Sequence, residues 1–465
     1  MRFNTMSKKC ILLIIAIAAG LPVICGCNMP REQLFTFNRY YETSDFSSAL
    51  LFAEKNIKKR NNPSGEDLLW TLQAASAKRI LKDYASSTQY FDKAEDFLKY
   101  YDLHSSVADE IGAVAINDNA VPYKGQEYDG VMVNVYKALN FMSEGNMDLA
   151  RVEFNRALDR QRRTKEKFEK EISKAKEQID KAQYSNLIKS SLSDPNLTKT
   201  MHDKYPELYE YQAYKDYVNP FVTYLASVYF NATGQPAQAR DLLKETAGLV
   251  PENKSIAAEF EETENLLGLN KTYKNTVWFI FENGLGPTKD EFRIDLPLFV
   301  ATSRVLYAGI ALPRLEYRDA ACPYLQIQAD GAIYSTLIVG NMDRVIHSEF
   351  KKDFDAALTR AIISTTGRVV AQYAFTNQNS NGSNIAAIMM AAYSFATNAA
   401  DVRIWTSLPK NFQAVKFPMP KDKILRINTL YSEPFDIVLP DCNNAMVYIK
   451  IIQRNSKPVF CVIPL

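Results

Sequence analysis

The 465-residue chain is poor in the residues that most metal centres and acid–base sites require. It has three histidines (His104, His202 and His347) and six cysteines, which leaves little material for a His/Cys metal centre. Motifs of nucleophilic hydrolases, P-loop proteins, zinc proteases and Cys-x-x-Cys proteins are absent from the sequence. The sequence therefore predicts no metal, no cofactor and no catalytic residue.

Net charge is also low, and glycine and proline are too few for a repetitive chain. A formal charge of +2 argues against nucleic acid as the main partner. Seventeen glycines and twenty prolines exclude collagen-like and low-complexity designs. The 47% of apolar residues instead indicates large cores, divided between two or three domains at this length.

Residues 1–26 have the features of a secretory signal peptide. Arg2, Lys8 and Lys9 precede any acidic residue, and residues 11–24 form an apolar run of fourteen residues. A membrane-spanning helix needs about 20 residues, so the run matches the apolar core of a signal peptide better. Its removal would change the net charge from +2 to −1, because it takes away three basic residues and no acidic one.

The signal ends in a sequence that resembles the bacterial lipobox, Ile24-Cys25-Gly26-Cys27. We expect cleavage after Gly26 and acylation of Cys27, and several acyl chains would hold the protein on a membrane at about 0.8 kcal/mol per buried CH₂. In a Gram-negative source, Asn28 favours the outer membrane facing the periplasm, by resemblance to bacterial sorting signals. A plain cleaved signal and an uncleaved anchor helix are the alternatives.

Three cysteines would remain besides Cys27, an odd number for an exported protein. Cys322, Cys442 and Cys461 lie in apolar or strand-like sequence, at a spacing that matches no metal motif. We expect them to be core residues. One disulfide with one buried thiol is the alternative.

From Glu32 to Leu267 the sequence has the 3.6-residue periodicity of amphipathic helices. A frame of small and aromatic residues occurs four times and resembles tetratricopeptide (TPR) repeats. Small residues in the frame would let two antiparallel helices approach closely. Glycine would end the first helix in the left-handed conformation, and proline would stop the second. The frame residues of the two clearest repeats are Gly145, Ala150, Phe154, Ala157, Gly234, Ala239 and Pro251.

Three segments of this helical half have patterns of their own. Residues 161–183 are densely charged with two heptads of apolar residues, which predicts a long solvated helix or, alternatively, a dimerising or partner-binding helix. Residues 185–205 have the composition of a loop. The following tyrosines would form half-buried helix packing or line a groove: Tyr205, Tyr209, Tyr211, Tyr214 and Tyr217.

After Lys274 the periodicity becomes two, the pattern of β-strands. Two helices interrupt the strands, at 350–366 with Gly367 as its stop, and at 386–400, which would be buried or would dock on a membrane or partner. The predicted strands are 276–281, 324–328, 332–334, 411–417, 424–428, 445–452 and 458–462.

These patterns predict a multidomain protein. A signal peptide (1–26) precedes an all-α domain of TPR-like helical repeats (27–268). An α+β, β-rich domain (269–465) follows it.

Three motifs occur in order along the chain: 150–161, then 282–287 with 293–297, then 400–409. Through them the chain resembles the uncharacterised TPR-containing bacterial lipoproteins whose genes often lie beside those for penicillin-binding-protein activator lipoproteins. The resemblance covers residues 30–460, or most of the mature chain. It implies a possible link to cell-wall synthesis, and it implies no catalytic residue because the activity of that family is not established.

Asp401, Arg403 and Trp405 form the most unusual candidate site. Alternate residues of an extended segment face one side, so the aspartate and the arginine would pair while the indole packs across them. One interpretation is a structural clamp that fixes the helix at 386–400 to the strand at 411–417. The other is a recognition surface for a partner protein or glycan.

His347 lies near Asp343 and Glu349 in the sequence and is the nearest candidate for a general base. A single histidine at a strand-to-helix junction is more often structural, so we favour that interpretation.

The sequence as a whole favours an envelope lipoprotein that acts as a protein–protein interaction scaffold through a TPR-like groove. Its partners would be an unidentified envelope protein and the membrane, without nucleic acid. The alternative is an envelope enzyme or glycan-binding protein acting through the C-terminal domain, with carboxylates such as Glu282, Asp343 or Asp401 converging on a cleft. A third is an export or assembly factor whose helix at 386–400 inserts into a membrane.

Overall fold

The computed structural model describes residues 29–58, 66–104, 122–181, 185–209, 211–299, 305–376 and 400–465. The predicted signal peptide, Cys27 and nearly all of the predicted helix at 386–400 lie outside these residues. Within the described part, eleven α-helices precede the first strand and strands dominate the remainder. The predicted order of an all-α part followed by a β-rich part is confirmed.

The helices form antiparallel hairpins in chain order, with α1 on α2, α3 on α4, α5 on α6 and α9 on α10. Two short 3₁₀ turns separate α8 from α9, at Pro206–Tyr209 and Lys215–Tyr217. The helices are α1 (Met29–Glu42), α2 (Phe46–Asn56), α3 (Asp67–Ile80), α4 (Tyr84–His104), α5 (Glu127–Ser143), α6 (Met147–Lys181), α7 (Ser185–Leu192), α8 (Pro195–Lys204), α9 (Pro220–Ala232), α10 (Pro236–Leu249) and α11 (Lys254–Gly268).

The residues that predicted these hairpins have the expected geometry. Gly145 and Gly234 both have φ of 77°, the left-handed conformation that glycine adopts without steric cost. The small residues Ala150 and Ala239 are completely buried, as are Phe154 and Ala157. Helix α10 ends at Leu249, two residues before Pro251.

The long charged helix is confirmed, because α6 runs without a break from Met147 to Lys181. The predicted loop at 185–205 is wrong, because α7 and α8 occupy most of it. Asp194 caps α8 by accepting a hydrogen bond from the backbone N–H of Asn196, and Pro195 occupies the first turn. Both are helix-start signals, which the polar composition of the segment concealed.

The strands and one long helix make up the second part. They are β1 (Thr276–Asn283), β2 (Thr288–Phe299), β3 (Val305–Glu316), β4 (Gln326–Ala329), β5 (Ala332–Ser335), β6 (Leu337–Asn341), α12 (Met342–Thr376), β7 (Asn411–Pro418), β8 (Ile424–Asn428), β9 (Phe435–Val438), β10 (Asn444–Ile451) and β11 (Val459–Pro464). A five-stranded sheet has the order β11-β10-β1-β7-β6, and a four-stranded sheet has the order β5-β4-β8-β9. Strands β2 and β3 form a separate hairpin.

The five-stranded sheet is covered on both faces. Its central strand β1 is buried at every position. Val277 and Phe279 belong to the core shared with the four-stranded sheet, whereas Trp278 and Ile280 belong to the core shared with the helices. The molecule therefore has three layers: helices, five-stranded sheet and four-stranded sheet.

Two features of the β-rich part differ from the prediction. Helix α12 continues through Gly367 to Thr376, because one glycine costs a helix only about 1 kcal/mol and does not by itself end it. Strands β2, β3, β6 and β9 were not predicted as strands.

Gly340 allows β6 to approach α9 closely, and a methyl group there should be costly. A Cβ at this position would lie 2.7 Å from the Cβ of Phe221 and 2.9 Å from its backbone nitrogen. We predict that Gly340→Ala lowers the free energy of unfolding by about 1–3 kcal/mol through overpacking, measured by urea denaturation of the purified protein. Gly248→Ala is the control, since a Cβ in α10 would meet open space. It should raise stability by about 0.5–1 kcal/mol; equal effects at both positions would contradict the packing.

Candidate functional site

Residues 401–407, called the seam below, run between the helices and the five-stranded sheet. The Trp405 indole N–H donates to Ser76 Oγ at 2.9 Å. The amide of Gln73 donates to Thr406 Oγ1 at 2.8 Å and accepts from Ser407 Oγ at 2.8 Å. The seam is therefore hydrogen-bonded along α3.

Trp405 is 1% exposed. Its ring centroid lies 6.0 Å from that of Phe91 and 5.9 Å from that of Tyr136, so it contacts α4 and α5 as well as α3. The predicted clamp between the helix at 386–400 and the strand at 411–417 involves residues outside the described part, and Trp405 instead packs against the helical array. This packing joins the seam to three helices of the array, and an exposed indole for partner or glycan recognition is not present in this fold.

Asp401 and Arg403 form the pair that their spacing predicts. Arg403 Nε donates to Asp401 Oδ1 at 2.8 Å, and Nη2 donates to Oδ2 at 3.0 Å, a bidentate geometry. Burial opposes ionisation of Asp401, but the guanidinium outweighs it and holds the pKa of that carboxyl below its ordinary value. The Arg403 side chain is itself buried, so this ion pair fixes the conformation of the first residues of the seam inside the protein.

The face that α3, α5 and α9 share is covered by the chain's own sheet. Helices α3, α5 and α9 are buried around most of their circumference. Phe221 of α9 stacks on Phe412 of β7, with ring centroids 3.5 Å apart, and Asn253 donates to the Ile338 carbonyl at 2.8 Å. This face of the helices is therefore not open to a partner in this fold.

A buried polar cluster lies at the same interface, formed by Glu282, Tyr136, Tyr448, Lys450 and Arg79 (the Glu282 cluster). Both tyrosine hydroxyls donate to Glu282 Oε1, at 2.6 and 2.7 Å. Lys450 Nζ lies 3.0 Å from Oε2. Glu282 and Lys450 are register partners on the parallel strands β1 and β10, so both side chains leave the sheet on the helix-facing side.

The electrostatics of the Glu282 cluster favour the charged carboxylate. Burial raises the pKa of Glu282, but Lys450, Arg79 and the two tyrosine donors outweigh burial and hold that pKa below its ordinary value. The Arg79 guanidinium carbon lies 5.3 Å from the Tyr136 ring centroid and 5.2 Å from that of Tyr448. These cation–π contacts hold Arg79 at one end of the cluster.

A cavity of about 40 Å³ adjoins the Glu282 cluster, with room for a few water-sized molecules. Half of its lining side chains are buried, Glu282 and Tyr41 among them, whereas the others, including Arg79, Tyr84 and Phe460, are half-buried. The side chains that line it come from α1, α3, α4, α5, β1, β10 and β11: Tyr41, Ser76, Arg79, Ile80, Tyr84, Tyr136, Glu282, Tyr448, Lys450, Val459, Phe460 and Cys461.

The three carboxylates named as candidates for an enzyme do not converge. Glu282 lines this cavity, Asp401 pairs with Arg403, and Asp343 pairs with Lys410. Each carboxylate thus has its own basic partner. The arrangement differs from the paired carboxylates of a glycoside-hydrolase cleft.

His347 has a structural environment. Its Nδ1 shares a hydrogen bond with the Tyr317 hydroxyl at 2.9 Å, and burial lowers its pKa to about 4. Glu349 instead accepts from the backbone N–H groups of Glu127 and Tyr128, both at 2.9 Å, and so caps the start of α5. The histidine and the two neighbouring carboxylates serve separate contacts.

A larger cleft opens beside α1. It has a volume of about 730 Å³, within the range of ligand-binding pockets. Charges of both signs line it, with ion pairs from Arg31 to Asp290 and from Arg318 to Glu42. Phe35 projects there and is 70% exposed. We call it the α1 cleft; helix α1, the β2–β3 hairpin and the seam form its walls.

The other residues noted in the sequence do not form a single site. Tyr205 and Tyr214 are buried, and Tyr209 and Tyr217 are exposed, so the tyrosines of this region do not share one surface. Cys322, Cys442 and Cys461 are free thiols.

In the part of the chain that the structure describes, no helix is long and apolar enough to cross a membrane. The same residues include no group of three or more His, Cys, Asp or Glu side chains that could hold a metal ion. Comparisons with protein-family models, with curated proteins and with solved structures find no match to this chain.

Replacing Glu282 should reveal how strongly the Glu282 cluster joins helices and sheet. At neutral pH, Glu282→Gln leaves Lys450 without its carboxylate, and we predict a loss of about 3–5 kcal/mol in the free energy of unfolding, measured by urea denaturation. Because the pKa of Glu282 is depressed in the fold, its stabilising effect is present above the unfolded pKa and lost as pH falls through the folded one.

The wild type should therefore lose more stability than Glu282→Gln between pH 6 and pH 3. Glu316→Gln, at a half-exposed ion pair with Arg314, is the control and should change stability little. A Glu282→Gln protein as stable as the wild type at pH 7 would contradict this description.

Proposed function

We propose that this protein is a lipid-anchored scaffold of the bacterial cell envelope that binds another envelope protein. The signal sequence and the lipobox-like Ile24-Cys25-Gly26-Cys27 support export and acylation at Cys27. Asn28 supports the outer membrane, facing the periplasm, as the site of attachment. The partner is an envelope protein, and the resemblance stated above connects it with cell-wall synthesis.

The TPR-like character of the array is part of this proposal. Successive helical hairpins support it, together with left-handed Gly145 and Gly234 and the buried small residues Ala150 and Ala239. TPR arrays commonly bind partners on the inner face. Here the five-stranded sheet covers the face that α3, α5 and α9 share, so we assign partner binding to another surface.

The α1 cleft is the surface that fits best, and it is the observation that carries the proposal. Helix α1 begins at Met29, two residues after Cys27, so an acylated Cys27 would hold the cleft close to the membrane. An exposed aromatic side chain within a charged rim, as Phe35 is here, is typical of protein-binding surfaces. Tethering at the membrane raises the effective concentration of a partner attached to the same membrane.

Site-specific photocrosslinking from position 35 tests the proposal. A photoreactive residue in place of Phe35 should form a crosslink to one defined envelope protein in intact cells. Leu51 on α2 is the matched control, since it is 67% exposed and apolar but does not line the α1 cleft. Cys27→Ser should move the protein out of the membrane fraction and weaken the crosslink.

The outcomes separate the alternatives. The same crosslinked products from positions 35 and 51, or none from position 35, would refute binding through the α1 cleft. Retention of Cys27→Ser in the membrane fraction would refute the lipid anchor. A crosslink from position 35 to glycan, with none to protein, would support the glycan-binding alternative.

A further inference from the structure

The cavity beside the Glu282 cluster has an excess of positive charge. Two of its lining side chains, Arg79 and Lys450, are cationic, and one, Glu282, is anionic. Lys450 is balanced by its contact with Glu282 at 3.0 Å. Glu282 is the single carboxylate among the residues that line the cavity, and it interacts with Arg79 as well, so one of the two positive charges is left uncompensated there. An excess charge in a secluded place is unfavourable unless an ion or water compensates it.

The cavity also contains hydrogen-bond donors that the protein uses only in part. Arg79 donates through Nη1 to Asn140 Oδ1 at 2.6 Å, which uses one of five guanidinium N–H groups. Tyr41 is 2% exposed, and its hydroxyl makes no hydrogen bond of ordinary geometry to a described residue, although Lys450 interacts with it. The Tyr41 ring centroid lies 5.8 Å from Lys450 Nζ, so Tyr41 lies beside a cationic side chain of the cavity.

The size of the cavity restricts what could use these donors. About 40 Å³ accommodates a few water-sized molecules, which excludes a nucleotide or a sugar from the deep part. A cation would add to the positive excess. A dianion such as sulfate would exceed the single uncompensated charge and would have to lose more hydration.

We propose that this cavity is a binding site for one small monovalent anion, held by the Arg79 guanidinium and the Tyr41 hydroxyl. The ligand is a free ion such as chloride or nitrate, or the carboxylate group of a small acid that enters between Tyr84 and Phe460. The site is independent of the proposed envelope function, because it lies at the interface between helices and sheet and not in the α1 cleft.

The test is the thermal unfolding midpoint of the purified protein in sodium chloride, nitrate or acetate. The bulky sulfonate MES serves as the reference anion at constant sodium concentration. A bound anion stabilises the folded state by mass action, so the midpoint should rise and saturate as each small anion replaces MES. A response to chloride and nitrate alone identifies a free-ion site, whereas a stronger response to acetate identifies a carboxylate site.

Two variants assign the effect to this cavity. Arg79→Gln should abolish the saturable rise, and Tyr41→Phe, which removes only the hydroxyl, should increase the half-saturating concentration about tenfold, as expected for one lost charge-assisted hydrogen bond. In MES, Tyr41→Phe should be about as stable as the wild type, because its hydroxyl makes no hydrogen bond of ordinary geometry within the protein. It therefore remains informative if Arg79→Gln fails to fold.

Tyr209→Phe removes an exposed hydroxyl far from the cavity lining and should respond as the wild type does. Equal midpoints of the wild type in all four salts would overturn the proposal, as would a Tyr41→Phe response indistinguishable from that of the wild type. In either case the cavity holds water only.

Discussion

Strand β1 lies at the centre of the five-stranded sheet, pairing in parallel with β10 and antiparallel with β7. Both of its faces are buried, one against the helices and one against the four-stranded sheet. An element with no exposed face cannot be stable until both neighbouring layers have formed, because each layer removes about half of its apolar surface from water. The helices and the β-rich part consequently belong to one packing unit, although they follow one another in the sequence.

This constraint explains why so many polar groups lie between helices and sheet and why they are paired. Glu282 receives two tyrosine hydroxyls and Lys450. On α11, Glu259 accepts from the Trp278 indole N–H at 2.8 Å and from Tyr224. A buried polar group without a partner costs about 1–3 kcal/mol, so such pairs restrict how the layers can be arranged. The Tyr41 hydroxyl departs from this pairing, and it lines the cavity beside the Glu282 cluster.

The same packing limits which surfaces of the protein are open to a partner. A helical array with an open face could present a groove, but here the sheet and the seam cover the face that α3, α5 and α9 share. Surfaces away from this interface are therefore left for the proposed recognition, and the α1 cleft is a large one among the described residues that adjoins the sequence proposed to carry the lipid. The Asp401–Trp405 segment, which the sequence singled out, stabilises the interface internally.

Local signals in the sequence predicted the features that depend on neighbouring residues. Glycine at 145 and 234 identified the hairpin turns, apolar and alternating runs identified β1 and β8, and the spacing of Asp401 and Arg403 predicted their pair. The Glu282 cluster could not be predicted, because Arg79, Tyr136, Glu282 and Tyr448 come together only when the layers pack.

Overall composition gave wrong secondary-structure predictions in segments where a few individual residues favour a different structure. The segment containing α7 and α8 looked like a loop because it is rich in Ser, Asn and Thr, although Asp194 and Pro195 are helix-start signals. The β2–β3 hairpin carries charged residues and two prolines, Pro297 and Pro313, within its strands, and these weaken the alternation by which strands are recognised. Gly367 suggested a helix end, yet its helical neighbours on both sides favour continuation.

Native-state hydrogen exchange tests most directly whether the helices and the β-rich part form one unit. The amides of β1 and those of α5 should exchange through the same opening, with equal free energies that fall together when Trp405→Phe weakens the seam. Protection that persists in α5 while the amides of β1 exchange, or a Trp405→Phe effect confined to one layer, would show that the helical array is stable alone. That result would contradict a single packing unit, because the face of the helices that the sheet covers could then open to a partner.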